Sequence, residues 1–220
     1  MAYTGANLST QLAYRLGETA ATSDSNTKAQ RYQWLTDGYF ELSRRKNWWW
    51  QEATSTTNTS TGSTTGYAEP TDLKEFIELK INNIFYSQIP YTDNRVYINS
   101  LGVVTLPTIR RSYKYYRYAG RYYLIPTDGN DSAIHYIKYY KRVSAITSDS
   151  DTVLIPDEYA NCILAYAEAR YWLSITQQAK AQTPLQEFEQ IVQQMMEEHN
   201  RRGWGSSGQM IMDPEDAGLF

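Results

Sequence analysis

The sequence predicts an α+β fold: a four-helix bundle, two N-terminal and two C-terminal helices, interrupted by an antiparallel β domain and followed by an extended C-terminal tail. Three observations support this. Leucines recur at four-residue spacing near the start (Leu8, Leu12, Leu16), and Leu185, Phe188, Val192 and Met195 make an apolar stripe near the end. Between them lie runs that alternate apolar and polar residues at period two and carry many tyrosines. The third observation is the stretch Ile155 to Leu173, where Pro156, Asp157 and Glu158 specify a helix start. Behind them, Ala160, Ala165, Ala167 and Ala169 alternate with Tyr159, Ile163, Tyr166, Tyr171 and Trp172. Small residues let a second helix come close and large ones supply buried area, so this helix is built to be packed against.

In chain order, residues 1–50 hold the first two helices. Asn7 can cap one, ending near Gly17, and the other starts near Thr27 with Leu35, Tyr39 and Leu42 on its apolar face. Arg44, Arg45 and Lys46 complement the negative end of its dipole. Trp48, Trp49 and Trp50 follow; no regular element gives three consecutive side chains one face, so one anchors the corner to the core and another faces a neighbour. Residues 51–150 form a β-rich insertion that opens with a Thr/Ser loop at 53–66, whose composition cannot build a core and predicts a projecting loop. Ile77, Leu79, Ile81, Asn83 and Phe85 fall on one side of a half-buried strand. Further strands are expected at 95–99, 112–118, 122–125 and 133–142, with turns at Ala119-Gly120 and Thr127 to Asp131. Residues 151–202 carry the two C-terminal helices, the first reaching about Gln178, the second opening at Thr183-Pro184 with Gln186 as a capping-box partner. Residues 203–220 read as a tail that orders by docking.

A chain of 220 residues hides roughly 70% of the surface its unfolded form exposes, enough for a core without staples. Cys162 is the single cysteine, so no disulfide can form within the chain; among apolar neighbours it reads as a small buried hydrophobe, and the compartment as reducing. The N-terminus lacks the pattern of a signal peptide, and no apolar run spans a bilayer, so a soluble protein with no membrane partner is expected. Formal charge is −3, which argues against general affinity for phosphates. From Tyr91 to Ala145, however, nine Lys or Arg face three Asp, a local +6 that leaves −9 for the rest. The 20 tyrosines suit half-wet surfaces and interfaces more than dry cores.

Little catalytic chemistry is legible. His135 and His199 have no second ligand at metal spacing, and no nucleophile, base and stabiliser stand together, so neither an enzyme nor a cofactor is expected. Gly203 to Gly208 matches a dinucleotide fingerprint in letters, but it follows a helix instead of joining a strand to one. Asp149 and Asp151 lack the glycine and glutamate of a calcium loop and read as a solvated turn. Arg110 to Tyr123 interleaves cations with aromatics. That pattern suits single-stranded nucleic acid, and equally a strand with one solvated face or a protein interface. A nucleic-acid-binding module using strands 110–142 is therefore the alternative reading.

The order of these elements resembles the head-to-tail connector proteins of tailed bacteriophages, the adaptors that form a ring beneath the portal. The resemblance covers residues 8–202. It rests on the helix running from Trp34 into the tryptophan corner at Trp50, on Tyr122 to Pro126 followed by the strand Ile134 to Arg142, and on Leu154 to Ala160 introducing the alanine-rich helix. The tubular, gatekeeper-like adaptors of short-tailed phages share the layout. The resemblance implies a virion structural protein of the neck, assembled in the host cytoplasm as a homo-oligomeric ring of 12 copies. Such a ring extends the DNA channel without sequence specificity and gives the tail a platform. Its implied partners are the portal protein and tail, nozzle or fibre proteins. The tail residues expected to dock on the portal are Trp204, Met210, Ile211, Met212, Leu219 and Phe220. Trp48, Trp49, Trp50, Tyr113, Tyr115, Arg117 and Tyr122 are expected at subunit or tail interfaces.

Overall fold

The computed structural model describes residues 3–18, 25–63, 65–91, 113–125 and 132–207, with 25, 26 and 203–207 by backbone alone. The fold is mixed α+β. The chain divides into a helical unit, Met1–Trp50 with Val143–Phe220, and a β unit, Gln51–Arg142.

In the helical unit α1 spans Gly5–Arg15, α2 Ser25–Arg45, α3 Ala160–Ser174 and α4 Gln178–Ser207. Thr4, not Asn7, caps α1: the Thr4 hydroxyl accepts the Asn7 N–H at 3.3 Å, which places Asn7 inside the first turn. Before α3 comes a single 3-10 turn, Asp157–Tyr159, with Pro156 at its N-cap position. The expected helix start at Thr183-Pro184 is corrected. α4 begins five residues earlier, where the Gln177 carbonyl accepts from Lys180 and Ala181, and Pro184 lies within the helix. Burial of Ala181 and Phe188 in the core outweighs the one backbone bond that proline forgoes. The break from α3 falls instead at Thr176, whose φ of 61° reverses the chain without a glycine to announce it.

Helix α3 packs against all three of the others. Ala160, Ala165, Ala167 and Ala169 are essentially without exposure, as is Cys162, whose thiol burial pushes well above its ordinary range. On α2, a Cβ at Gly38 would lie 3.1 Å from the Ile163 carbonyl oxygen and 3.2 Å from the Tyr166 Cβ. The α2 backbone comes this close to Ile163 and Tyr166 because Gly38 has no side chain. Leu8 and Leu12 of α1, Leu35 and Leu42 of α2, and Phe188, Val192 and Met195 of α4 complete the core. The turn at 147–151 secures the helix starts. Asp151 and Asp149 carbonyls accept the N–H groups of Gly5 and Ala6, while the Asp149 carboxylate takes Lys28 and the Tyr32 hydroxyl.

The β unit is a curled seven-stranded sheet. Its strands are β1 (Glu52–Ser55), β2 (Tyr67–Ala68), β3 (Leu73–Ile81), β4 (Ile84–Gln88), β5 (Lys114–Tyr118), β6 (Arg121–Ile125) and β7 (His135–Lys141). Across the sheet they run β1-β7-β3-β4-β5-β6-β2. The expectation of a purely antiparallel region is corrected at one pair: β4 and β5 run parallel, through Ser87 with Lys114 and Gln88 with Tyr115, which the long connection between them permits. The single strand expected across Ile77 to Phe85 is two. Asn82 and Asn83, at φ 51° and 63°, make a two-residue hairpin turn, and a register shift between Phe76 and Glu78 turns Ile77 outward. The strand expected at 95–99 and the turn at 127–131 lie outside the described residues.

The sheet curls far enough that β2 and β6, from one side of the strand order, meet β7 from the other. The Tyr67 ring is 4.5 Å from the His135 ring, and Phe76, Tyr115, Tyr122 and Ile137 fill the space within. The Thr/Ser segment does not project. It begins as β1 and continues as a strap: Thr59 bridges Ile134, and Ser60 is buried.

Two outcomes follow from this packing. Gly38→Leu drives a side chain into the α3 backbone and lowers stability by about 1–3 kcal/mol in urea denaturation. Hydrogen bonds from Thr147 N–H, then from the Ser148 side chain and N–H, hold the Asp151 carboxyl at about 2. Because the folded value is depressed, this stabilisation is present above the unfolded carboxyl's range of about 3.9 and is lost as pH falls toward the folded value. Asp151→Asn flattens that acid limb of the melting-temperature profile.

Candidate interaction surfaces

At the end of α2 the three tryptophans separate in role. Trp48 is fully buried and its indole N–H donates to the Leu42 carbonyl at 2.8 Å, so it anchors the corner and is unavailable to a neighbour. Trp50 stacks on Tyr39 at 6.1 Å, and Tyr39 in turn accepts the Leu154 N–H; burial pushes the Tyr39 phenol up to about 12. Trp49 is half-buried in a box. Tyr159 meets it edge-on at 6.2 Å, His199 lies at 5.9 Å, and the Arg202 guanidinium sits over the ring at 4.8 Å. Glu198 braces two walls of the box, accepting from the Tyr159 hydroxyl and from Arg202; these bonds, Tyr159 first, hold its carboxyl below the usual range. Of the three, Trp49 and Trp50 keep partly exposed indoles at this surface.

The β-strand candidates also divide. Tyr115 and Tyr122 point into the sheet core, at 3% and 0% exposure. Period-two alternation alone left open which face was inner. Tyr113 is half-buried, 5.2 Å from Tyr86. Arg117 lies over Phe76 at 5.1 Å and grips Glu69 with two bonds of 2.6 and 2.8 Å. On the other face Tyr118 and Tyr91, both exposed, stack at 4.6 Å, while Tyr116, which is buried, stacks on Tyr123 at 4.8 Å. Phe85, Lys80 and Tyr136 stand abreast on β4, β3 and β7, with Phe85 61% and Tyr136 46% exposed. The sequence reading passed over Phe85 and Tyr136 as surface candidates. The signal was the Asn82-Asn83 turn, which resets the alternation and turns Phe85 outward.

Among the described residues, several of the cations behind the nucleic-acid reading are engaged within the unit. Lys138 pairs with Glu52, Lys141 with Asp72, and Arg121 donates to the Thr65 and Gly66 carbonyls. Arg110 and Arg111 lie outside the described residues, as do Met210, Ile211, Met212, Leu219 and Phe220. Trp204 falls within the backbone span of α4, which passes the expected helix end near Arg202. Among the described residues no group of three His, Cys, Asp or Glu could hold a metal ion, and no helix is long and apolar enough to cross a membrane.

Removing the Trp48 side chain costs about 3–5 kcal/mol, whereas Trp49→Ala leaves the half-exposed box open and costs markedly less. Chemical denaturation of the two variants separates anchor from surface.

Comparison with known proteins finds no curated protein that matches. A family model described as SU10 adaptor protein matches residues 3–211, spanning both units and nearly the whole chain. The chain belongs to this family of phage head-to-tail adaptor proteins.

Proposed function

We propose that the protein is a structural component of the virion neck, which assembles as a ring of 12 copies between portal and tail and continues the DNA channel. Family membership across residues 3–211 carries this reading. The helical unit, in this reading a four-helix bundle, forms the body of the ring. Surface chemistry supports an assembling role: Trp49 in its half-exposed box and the outward Phe85, Tyr118 and Tyr136 offer amphipathic aromatic area of the kind protein interfaces favour. The tail combines Met210, Ile211, Met212, Leu219 and Phe220 with an acidic stretch at Asp213 to Asp216. Such a segment buries its apolar groups by docking on the portal. Carboxylate pairing of Arg117, Lys138 and Lys141 leaves less positive field for the rival nucleic-acid reading.

The test is co-expression with the portal protein of the same phage, affinity capture and negative-stain electron microscopy. The expected result is a ring seated on the portal ring. Truncation after Ser207 keeps the thermal transition of the full chain and loses portal capture; a truncated chain that still binds the portal overturns the role of the tail. Recovery of the chain with nucleic acid and without a ring overturns the adaptor reading in favour of the basic strands.

A further inference from the structure

The turn between α3 and α4 sets apolar side chains in solvent. Leu173 and Ile175 are each 40% exposed, and Trp172 beside them is half-buried. Their base is fixed. Tyr171 meets Trp34 of α2 edge-on at 5.5 Å and Trp172 at 4.9 Å, and the Trp172 indole N–H donates to Glu168 at 3.3 Å. The Thr176 N–H donates to the Leu173 carbonyl at 3.1 Å and the Gln177 N–H to the Trp172 carbonyl at 2.9 Å, the two bonds that close a helix in a Schellman turn. Such a turn favours glycine at its left-handed position, with an apolar residue next that folds back on the helix. Here Thr176 takes the left-handed position at φ 61°, a strained state for a β-branched residue, and Gln177 follows. Gln177 supplies no apolar side chain to fold back, and Leu173 and Ile175 stand outward.

The charge around this crest has one sign. Residues 169–186 contain no Asp or Glu, while Arg170 and Lys180 lie among them. Arg170 pairs with Asp37 of α2, and the Lys180 ammonium sits over the Trp172 ring at 4.5 Å. Glu168 and Glu187, which flank the run in the sequence, are both taken by Arg15. An apolar crest beside a lysine with no carboxylate partner among the described residues is complementary to an apolar pocket bordered by acids.

We propose that the α3–α4 turn is the docking site for the adaptor's tail-side neighbour, a protein presenting an apolar pocket bordered by carboxylates. This rests on the reading of the chain as an adaptor between portal and tail, and position carries the choice of occupant. α4 is 30 residues long, about 45 Å at 1.5 Å per residue. The turn stands at one end of it, and the segment assigned to the portal leaves from the other. Residues 208–220 of the same chain reach back over that distance only at full extension, about 45 Å, so they do not serve as the cover of the turn.

The test titrates each tail protein of the same phage, expressed singly, onto the portal–adaptor complex. One of them binds the wild-type complex, more weakly as salt rises. Leu173→Asp combined with Ile175→Asp keeps the thermal transition and the ring on the portal, and weakens that binding by about tenfold or more, the share that burial of one such side chain supplies. Lys180→Glu, which leaves the backbone of the turn untouched, also weakens it, whereas Lys180→Arg keeps it; should the double variant fail to fold, this pair decides. Full binding by Lys180→Glu and by the double variant overturns the inference. So does a folded double variant that loses the ring itself, which makes the turn a contact between copies. A wild-type complex that forms on the portal and binds no tail protein overturns the inference alone, while a chain that captures no portal overturns the adaptor reading and the inference with it.

Discussion

Three helices approach α3 at once, and four alanines among its buried positions, Ala160, Ala165, Ala167 and Ala169, make room for them. At Gly38 the α2 backbone comes close enough that an added methyl would lie 3.1 Å from the Ile163 carbonyl oxygen. At such separation each helix offers its own backbone as a packing surface, and dispersion contacts accumulate over many atoms without large side chains to supply them. The other helices depend on this. α1 is short, its leucines have value only once α2 and α3 are there to cover them, and isolated helices of its length are marginal in water. Trp48 extends the same core past the end of α2, so the chain leaves the helical unit from a fixed point.

The β unit solves a different problem with different means. On its inner face tyrosines stand beside leucines and isoleucines in the core. Each buried tyrosine brings a hydroxyl that must be satisfied, and the structure meets that demand locally: Tyr67 through the strap, Tyr122 through Asn58 and His135, Tyr139 through Asp72, Tyr115 through Gln88. The Thr/Ser segment is therefore structural, despite a composition that reads as linker. Its hydroxyls and backbone N–H groups are the partners that a tyrosine-lined core requires.

An adaptor must present amphipathic surface to other proteins while remaining folded before they arrive. Dividing the aromatics by face meets both needs. Inward rings carry stability, and outward ones such as Phe85, Tyr118 and Tyr136 stand exposed on the strands. The same division applies within one tripeptide, Trp48 to Trp50, where consecutive indoles go to the core, to the box of Tyr159 and Arg202, and to the Tyr39 stack.

The sequence by itself determined the identity of the main helices and of most strands, because these rest on local periodicity: leucines at four-residue spacing, the alanine-rich run behind Pro156, alternation through β6 and β7. It determined the family too, through the order of those elements. Tertiary structure decided what depends on distant partners. Pro184 sits inside α4 because burial of Ala181 and Phe188 outweighs a local propensity, and after α3 ends at Ser174 the chain reverses at Thr176 with no breaker residue to mark it. The inward direction of Tyr115 and Tyr122 is set by the curl of the sheet, which alternation cannot encode, and the parallel pairing of β4 with β5 by which edge β5 finds free. The role of Ser60 was hidden most completely. A serine in a polar run carries no local mark, and only the closure of β7 toward β6 brings His135 and Tyr122 to meet it.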